Sequence, residues 1–115
     1  MELVEISQVQ GRIPVTVFTL KDRINLGNFA QLEETAKKAY SDGMRDLVID
    51  MSQTPSLTSM GIRALIIIHK MLSVGSGRHL KLAAPIPAIR DMLDIAGVTQ
   101  YIEIFKTVED AVASF

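Results

Sequence analysis

Cysteine is absent from the 115 residues, and so is tryptophan. Without a thiol there is no disulfide, no thiolate metal site and no cysteine nucleophile. That absence fits a reducing compartment. Charge of one sign is also missing, since 12 Lys and Arg stand against 13 Asp and Glu, a net −1. Proteins that grip phosphate backbones carry a basic excess, so direct nucleic-acid binding is not expected. The start, Met1 to Glu5, has neither the basic residues nor the apolar stretch of a secretory signal. The longest strongly apolar run, Ala64 to Ile68, is far too short to cross a bilayer. A cytoplasmic chain with no membrane insertion is the simplest expectation. No repeat, low-complexity tract or Pro/Gly/Ser-rich linker divides the sequence, so one domain is expected over residues 1–115.

What is present is apolar material, 48% of residues against 22% charged, enough for a packed core. Leu3 to Val9 alternates apolar and polar residues and reads as a strand. Gly11-Arg12 marks a turn, and Ile13 to Leu20 is a second strand, with Pro14 at its start or edge because it cannot donate a ladder hydrogen bond. Asn25 or Asn28 then caps a helix in which Leu26, Phe29, Leu32, Ala36, Ala39 and Tyr40 recur at helical spacing. Gly43 ends it. Leu47 to Met51 is almost wholly apolar, as an interior strand covered on both faces should be.

A loop, Ser52 to Thr58, leads to a second helix from about Ser59 to Val74. It is apolar nearly all round and must be deeply packed. Gly75-Ser76-Gly77 breaks it, and Leu80 to Ala83 is another short strand. Pro87 opens a third helix carrying Ile89, Met92, Leu93 and Ala96, closed by Gly97. Tyr101 to Phe105 is a last strand. Thr107 with Asp110 resembles a capping box for a final short helix. The order β-β-α-β-α-β-α-β-α predicts an α/β fold: a mixed sheet of about five strands with about four flanking helices.

The segment Asp50-Met51-Ser52-Gln53-Thr54-Pro55-Ser56-Leu57-Thr58-Ser59-Met60-Gly61 resembles the signature of the STAS family, the anti-sigma factor antagonists and their relatives in sulphate transporters. That signature starts Asp-Leu-Ser at a strand end and closes on Asp-Ser-Ser/Thr-Gly at a helix start. Leu20 to Asn25 resembles the family's Leu-x-Gly-Glu-Leu-Asp, and Val108-Glu109-Asp110-Ala111 its common ending. The chain departs from the pattern at several places. Thr58 stands where the family has Asp, Met60 where it has a small hydroxyl residue, Asn25 where it has Asp, and Asp22 where it has Gly. The resemblance implies a single STAS-type domain. It also implies a phosphoacceptor role that falls by position on Ser59, with Thr58 the neighbouring candidate.

From the residues alone, a serine in the first turn of a helix caps a free backbone amide. Thr58 is able to cap instead, leaving Ser59 exposed. Both roles stay open for Ser59. Met60 is an apolar residue at an exposed helix start, either tucked inward or part of an interface. Other candidates are bland. His69 and His79 have no ligand cluster beside them and read as surface or helix-end residues. Gly75-Ser76-Gly77 lacks the lysine and strand-to-helix setting of a phosphate loop. Glu33-Glu34, Asp91 and Asp94 lie on solvated helix faces. No catalytic residue, cofactor or metal site is expected.

The function this resemblance implies is partner switching without enzymatic activity. The chain would bind an anti-sigma factor, a serine kinase of the ATP-binding type, through Asp22, Arg23, Asn25, Ser56, Thr58, Ser59, Met60 and Arg63. Phosphorylation at Ser59 would release it. The alternative is a STAS scaffold subunit that is never phosphorylated, in a stress-signalling complex or beside a lipid-transport ATPase. A small-ligand sensor or catalyst has only the general capacity of α/β folds behind it. The oligomeric state stays open, a homodimer among the options.

Overall fold

The structure, a computed structural model, describes residues 3–73 and 79–115. The expected Gly75-Ser76-Gly77 break lies outside them. Five strands form one sheet: β1 (Val4–Gln10), β2 (Pro14–Leu20), β3 (Leu47–Asp50), β4 (Leu80–Ala83) and β5 (Glu103–Phe105). They lie side by side in chain order. β1 and β2 are antiparallel, and the remaining neighbours are parallel. The helices are α1 (Phe29–Ser41), α2 (Ser59–Leu72), α3 (Pro87–Ile95) and α4 (Val108–Ala113). The sheet is mixed and helix-flanked, as the alternation of elements predicts.

The two faces are covered unequally. Leu32 and Ala36 of α1, Ala64, Leu65, Ile68 and Leu72 of α2, and Ile89 and Leu93 of α3 pack on Phe18, Leu20, Leu47, Ile49, Leu80 and Leu82. On the other face, among the described residues, only α4 packs, through Ala111 and Val112, on Val15, Val17, Val48 and Ala83. Successive side chains of a strand point to opposite faces, so the almost unbroken apolar runs of β3 and β4 supply both layers at once. Gly11 sits where the β1–β2 turn passes under α4. A Cβ there would stand 2.7 Å from Val112 Cγ1, a separation that real Cβ atoms essentially never show.

The helix ends follow local chemistry. Gly43, at φ 111°, closes α1, with Gly43 N–H donating to Tyr40 O and Met44 N–H to Ala39 O. This pairing satisfies carbonyls that the last turn leaves free, and only glycine takes that φ without strain. Gly97 does the same after α3, at φ 77°. Thr107 Oγ1 accepts from Asp110 N–H at 3.1 Å, so the expected cap of α4 is formed.

Two elements differ from the sequence reading. Leu26 is not on α1 but in the preceding loop, 73% exposed. The last strand begins at Glu103, because Val98–Gln100 form a 3-10 turn that leaves Tyr101 exposed. Both errors came from apolar residues whose spacing suits an element that local hydrogen bonding ends sooner.

Candidate functional site

The site is assembled from two loops that follow parallel strands. The first, after β2, runs Lys21 to Asn28. Asn25 and Asn28 give it its shape: Asn25 N–H donates to Asn28 Oδ1 at 2.9 Å, Gly27 N–H to Asn25 Oδ1 at 2.8 Å, and Asn28 Nδ2 to Arg23 O at 2.8 Å. Asn28 occupies the N-cap position of α1 yet makes no side-chain cap bond, because its amide is committed to the loop. Asparagine side chains compete for backbone groups in this way, which favours turns over helix. Asp22 Oδ1 accepts from Arg23 N–H at 2.7 Å, and both side chains stay exposed.

The second loop follows β3. Asp50 Oδ1 accepts from Ser52 N–H at 3.0 Å and turns the chain out of the sheet. Thr54 is buried, while Pro55 and Ser56 return to the surface. Leu57 then pairs with Ile24 in an isolated parallel bridge. Ile24 N–H donates to Ser56 O at 3.2 Å, Thr58 N–H to Ile24 O at 3.0 Å, and Thr58 Oγ1 to Ile24 O at 3.3 Å. These bonds tie the loops together, so Asp22, Arg23 and Asn25 lie beside Ser56, Thr58 and Ser59.

Ile24 and Leu57 are both buried under the start of α2. Gly61 makes room for them. A Cβ on Gly61 would overlap Leu57 Cδ1 and stand 2.9 Å from Ile24 Cγ2. Sequence reasoning placed Gly61 in the motif but missed Ile24 and Leu57 as its packing partners. A glycine in the first turn of an otherwise apolar helix is the signal that could have shown such a close approach.

Ser59 is the first residue of α2 and is exposed. The first bond within α2 runs from Ile62 N–H to Thr58 O, so the amides of Ser59, Met60 and Gly61 precede it. Thr58 sits at the N-cap in extended conformation and makes no side-chain cap bond, its hydroxyl being turned to Ile24. Among the described residues, Ser59 Oγ has no protein partner either. The capping role open to Thr58 and Ser59 in the sequence is therefore filled by neither. Met60 is half-buried, and Arg63, exposed, lies one turn beyond Ser59 on the same helix face.

The electrostatics follow from this arrangement. No acidic residue occupies the first turn of α2, so no side chain of that turn offsets the partial positive charge of the helix start. Arg23 and Arg63 add exposed cations nearby, with Asp22 holding Arg23 Nε at 3.9 Å. A hydroxyl in such a place can carry an added anion without disturbing a buried contact.

The histidines lie elsewhere. His69, in the last turn of α2, faces Tyr101 with ring centroids 6.4 Å apart. His79 is half-buried, its Nδ1 2.7 Å from Asp46 Oδ1, which links the starts of β3 and β4. Among the described residues no group of three or more His, Cys, Asp or Glu is placed to hold a metal ion. None of their helices is long and apolar enough to cross a membrane.

Three known proteins show what this chain is similar to. A Bordetella bronchiseptica protein named as an anti-sigma factor antagonist, BtrV, is 27% identical over 96 residues, 84% of this chain and 82% of its own. A Thermotoga maritima protein of the same designation superposes with a TM-score of 0.86 at 17% identity, covering 96% of this chain and 92% of that one. The anti-sigma factor antagonist SpoIIAA of Bacillus superposes in its unphosphorylated form with a TM-score of 0.78 at 16% identity, covering 96% and 94%. Its phosphorylated form superposes with a TM-score of 0.71 at 16% identity, covering 96% and 97%. At these identities the superpositions show a shared fold. The profile of the STAS domain matches residues 6–111, nearly the whole sequence, and the chain belongs to that family.

Proposed function

We propose that the chain is an anti-sigma factor antagonist that binds a regulatory serine kinase of the ATP-binding type in the cytoplasm and is released from it by phosphorylation at Ser59. The observation that carries this reading is the state of Ser59, an exposed hydroxyl with no protein hydrogen bond among the described residues, on a ledge where two loops are pinned together. The names of BtrV and SpoIIAA, and the existence of a phosphorylated SpoIIAA, support it.

The partner-facing residues are Asp22, Arg23, Asn25, Ser56, Thr58, Ser59, Met60 and Arg63. A phosphoryl group adds roughly −1.5 to −2 charges near neutral pH. The open amides and the helix dipole accommodate that charge, so the fold survives the modification. Arg63, four residues on, becomes its nearest cation on the helix and is drawn away from a partner's acidic groups. A partner surface that had packed on Ser59 meets an unpaired charge and dissociates. Thr58 is the poorer acceptor, since modifying it breaks the bond to Ile24 that joins the loops.

The scaffold reading has one observation in its favour. Thr58 is not acidic and its hydroxyl is engaged, so no carboxylate adjoins Ser59 in sequence. Incubation with a cognate serine kinase of the ATP-binding type and ATP, followed by mass spectrometry, separates the two. The switch predicts one phosphoryl group on Ser59, none on Ser59→Ala, and loss of kinase binding by Ser59→Asp. An unmodified chain, with Ser59→Asp binding as well as wild type, would establish the scaffold.

A further inference from the structure

The edge of the sheet formed by β1 is open, and its residues are suited to pairing with themselves. β1 is seven residues long and has a strand neighbour on one side only among the described residues. Lys21 N–H donates to Leu3 O at 2.8 Å and Gly11 N–H to Ile13 O at 3.1 Å, at the two ends of the β1–β2 ladder. The odd-numbered residues therefore direct their amides and carbonyls at β2. Antiparallel pairs alternate, so Val4, Ile6, Gln8 and Gln10 direct theirs away from the sheet. Thr16 N–H, bonded to Asp46 O at 3.0 Å, shows the same alternation carried across β2.

Proteins blunt such an edge with proline, lysine, a bulge or a very short strand. β1 has none of these, and its register with β2 runs unbroken from Val4 to Gln10. Its one charge, Glu5, is neutralised by Lys21 at 3.1 Å. Ile6 is 50% exposed, although it projects toward the face that carries the main core. Beside it an open groove of about 920 Å³ separates the β1–β2 hairpin from the end of α1, lined in part by Ile6, Ile13, Pro14, Ala39 and Met44.

The geometry points to a second copy of this chain as the occupant of that edge, with the two β1 strands antiparallel about an axis through Ser7. This register sets Val4 against Gln10 of the other copy and Ile6 against Gln8, so every outward residue meets an outward residue. It sets Glu5 against Val9, keeping the two carboxylates apart. Shifts that bring Glu5 opposite Glu5 leave outward groups unpaired and oppose like charges directly. The two Ile6 side chains, exposed in one copy, become part of a row shared across the joint. The five-stranded sheet then continues into that of its mate, and the edge disappears from solvent.

Sedimentation equilibrium of the full chain tests the dimer. The wild type should show twice the protomer mass, falling toward the protomer on dilution. Gln8→Pro removes an outward amide without touching the β1–β2 ladder and should sediment as a monomer with an unchanged far-ultraviolet spectrum. Ile6→Lys, a charge on the same edge, should do the same. Amide exchange supplies a measurement that needs no variant. Protection of the Ile6 and Gln8 amides should rise with concentration, while that of Ser7 and Val9 should not. A wild type of protomer mass at every concentration overturns the proposal. So does a dimer that survives both substitutions, or Ile6 and Gln8 exchange that ignores concentration.

Discussion

Thr58 donates twice to the carbonyl of Ile24, through its amide at 3.0 Å and its hydroxyl at 3.3 Å. The two residues are 34 apart in sequence, and their contact joins the loop after β2 to the loop before α2. Thr58→Val keeps the shape and the amide bond but loses the hydroxyl. It should cost about 0.5–1.5 kcal/mol in denaturant unfolding, the net worth of a neutral hydrogen bond. If the proposed switch operates, phosphorylation of Ser59 should persist in this variant.

Ser59→Asp should not weaken the fold. The first turn of α2 holds no acidic residue and no side-chain cap. A carboxylate at that place opposes the helix dipole favourably and should add about 0.3–1 kcal/mol, a gain that falls as salt is raised. Thermal unfolding at low and high salt reads the effect.

Gly61→Ala should destabilise the chain by about 1–3 kcal/mol, the usual range for overpacking a core. The new methyl meets Leu57 and Ile24, the pair on which both loops rest. Hydrogen exchange should then quicken at the amides of Ile24 and Thr58 before it does so in β3.

Lys81 lies in the sheet, 4% exposed, and donates to Ser114 Oγ at 2.7 Å. Its ammonium is 4.2 Å from the centre of the Phe115 ring and 3.7 Å from Glu103. Ser114→Ala strips a buried charge of its hydrogen bond and should cost about 1–3 kcal/mol. Lys81→Met keeps the stem packing and leaves Ser114 bonded to Ala111 O at 2.6 Å, so it should cost less. Thermal unfolding of the two variants gives the ranking, which the reverse order would contradict.

Ala84, between β4 and α3, has φ 56°, a left-handed conformation that strains a residue with a Cβ. Glycine relieves the strain but frees the unfolded chain. The balance should favour Ala84→Gly by about 0.5–1 kcal/mol in urea unfolding.

Features that depend on a few consecutive residues were legible in the sequence. The apolar run of β3, the Gly43 and Gly97 helix ends and the Thr107 cap each follow from local chemistry, and each is found. The motif from Asp50 to Gly61 also placed Ser59 at a helix start correctly. What spacing could not reveal was contact between distant segments. The Ile24–Leu57 bridge, the His79–Asp46 pair and the Lys81–Ser114 bond each join residues 33 apart. Leu26 misled because it repeats at helical intervals with Phe29 and Leu32. The side chains of Asn25 and Asn28 hold that stretch as a loop, a competition that apolar periodicity does not register.

The strands follow one another across the sheet in the order in which they occur along the chain. Open α/β sheets hold their small ligands in the cleft that opens where strand order reverses direction. A progression that never doubles back creates no such cleft at the carboxyl ends of its strands. What it offers there are the turns that carry Ile24 and Ser59. On the proposed function, recognition by those turns comes from breadth of contact, which suits a macromolecule better than a metabolite.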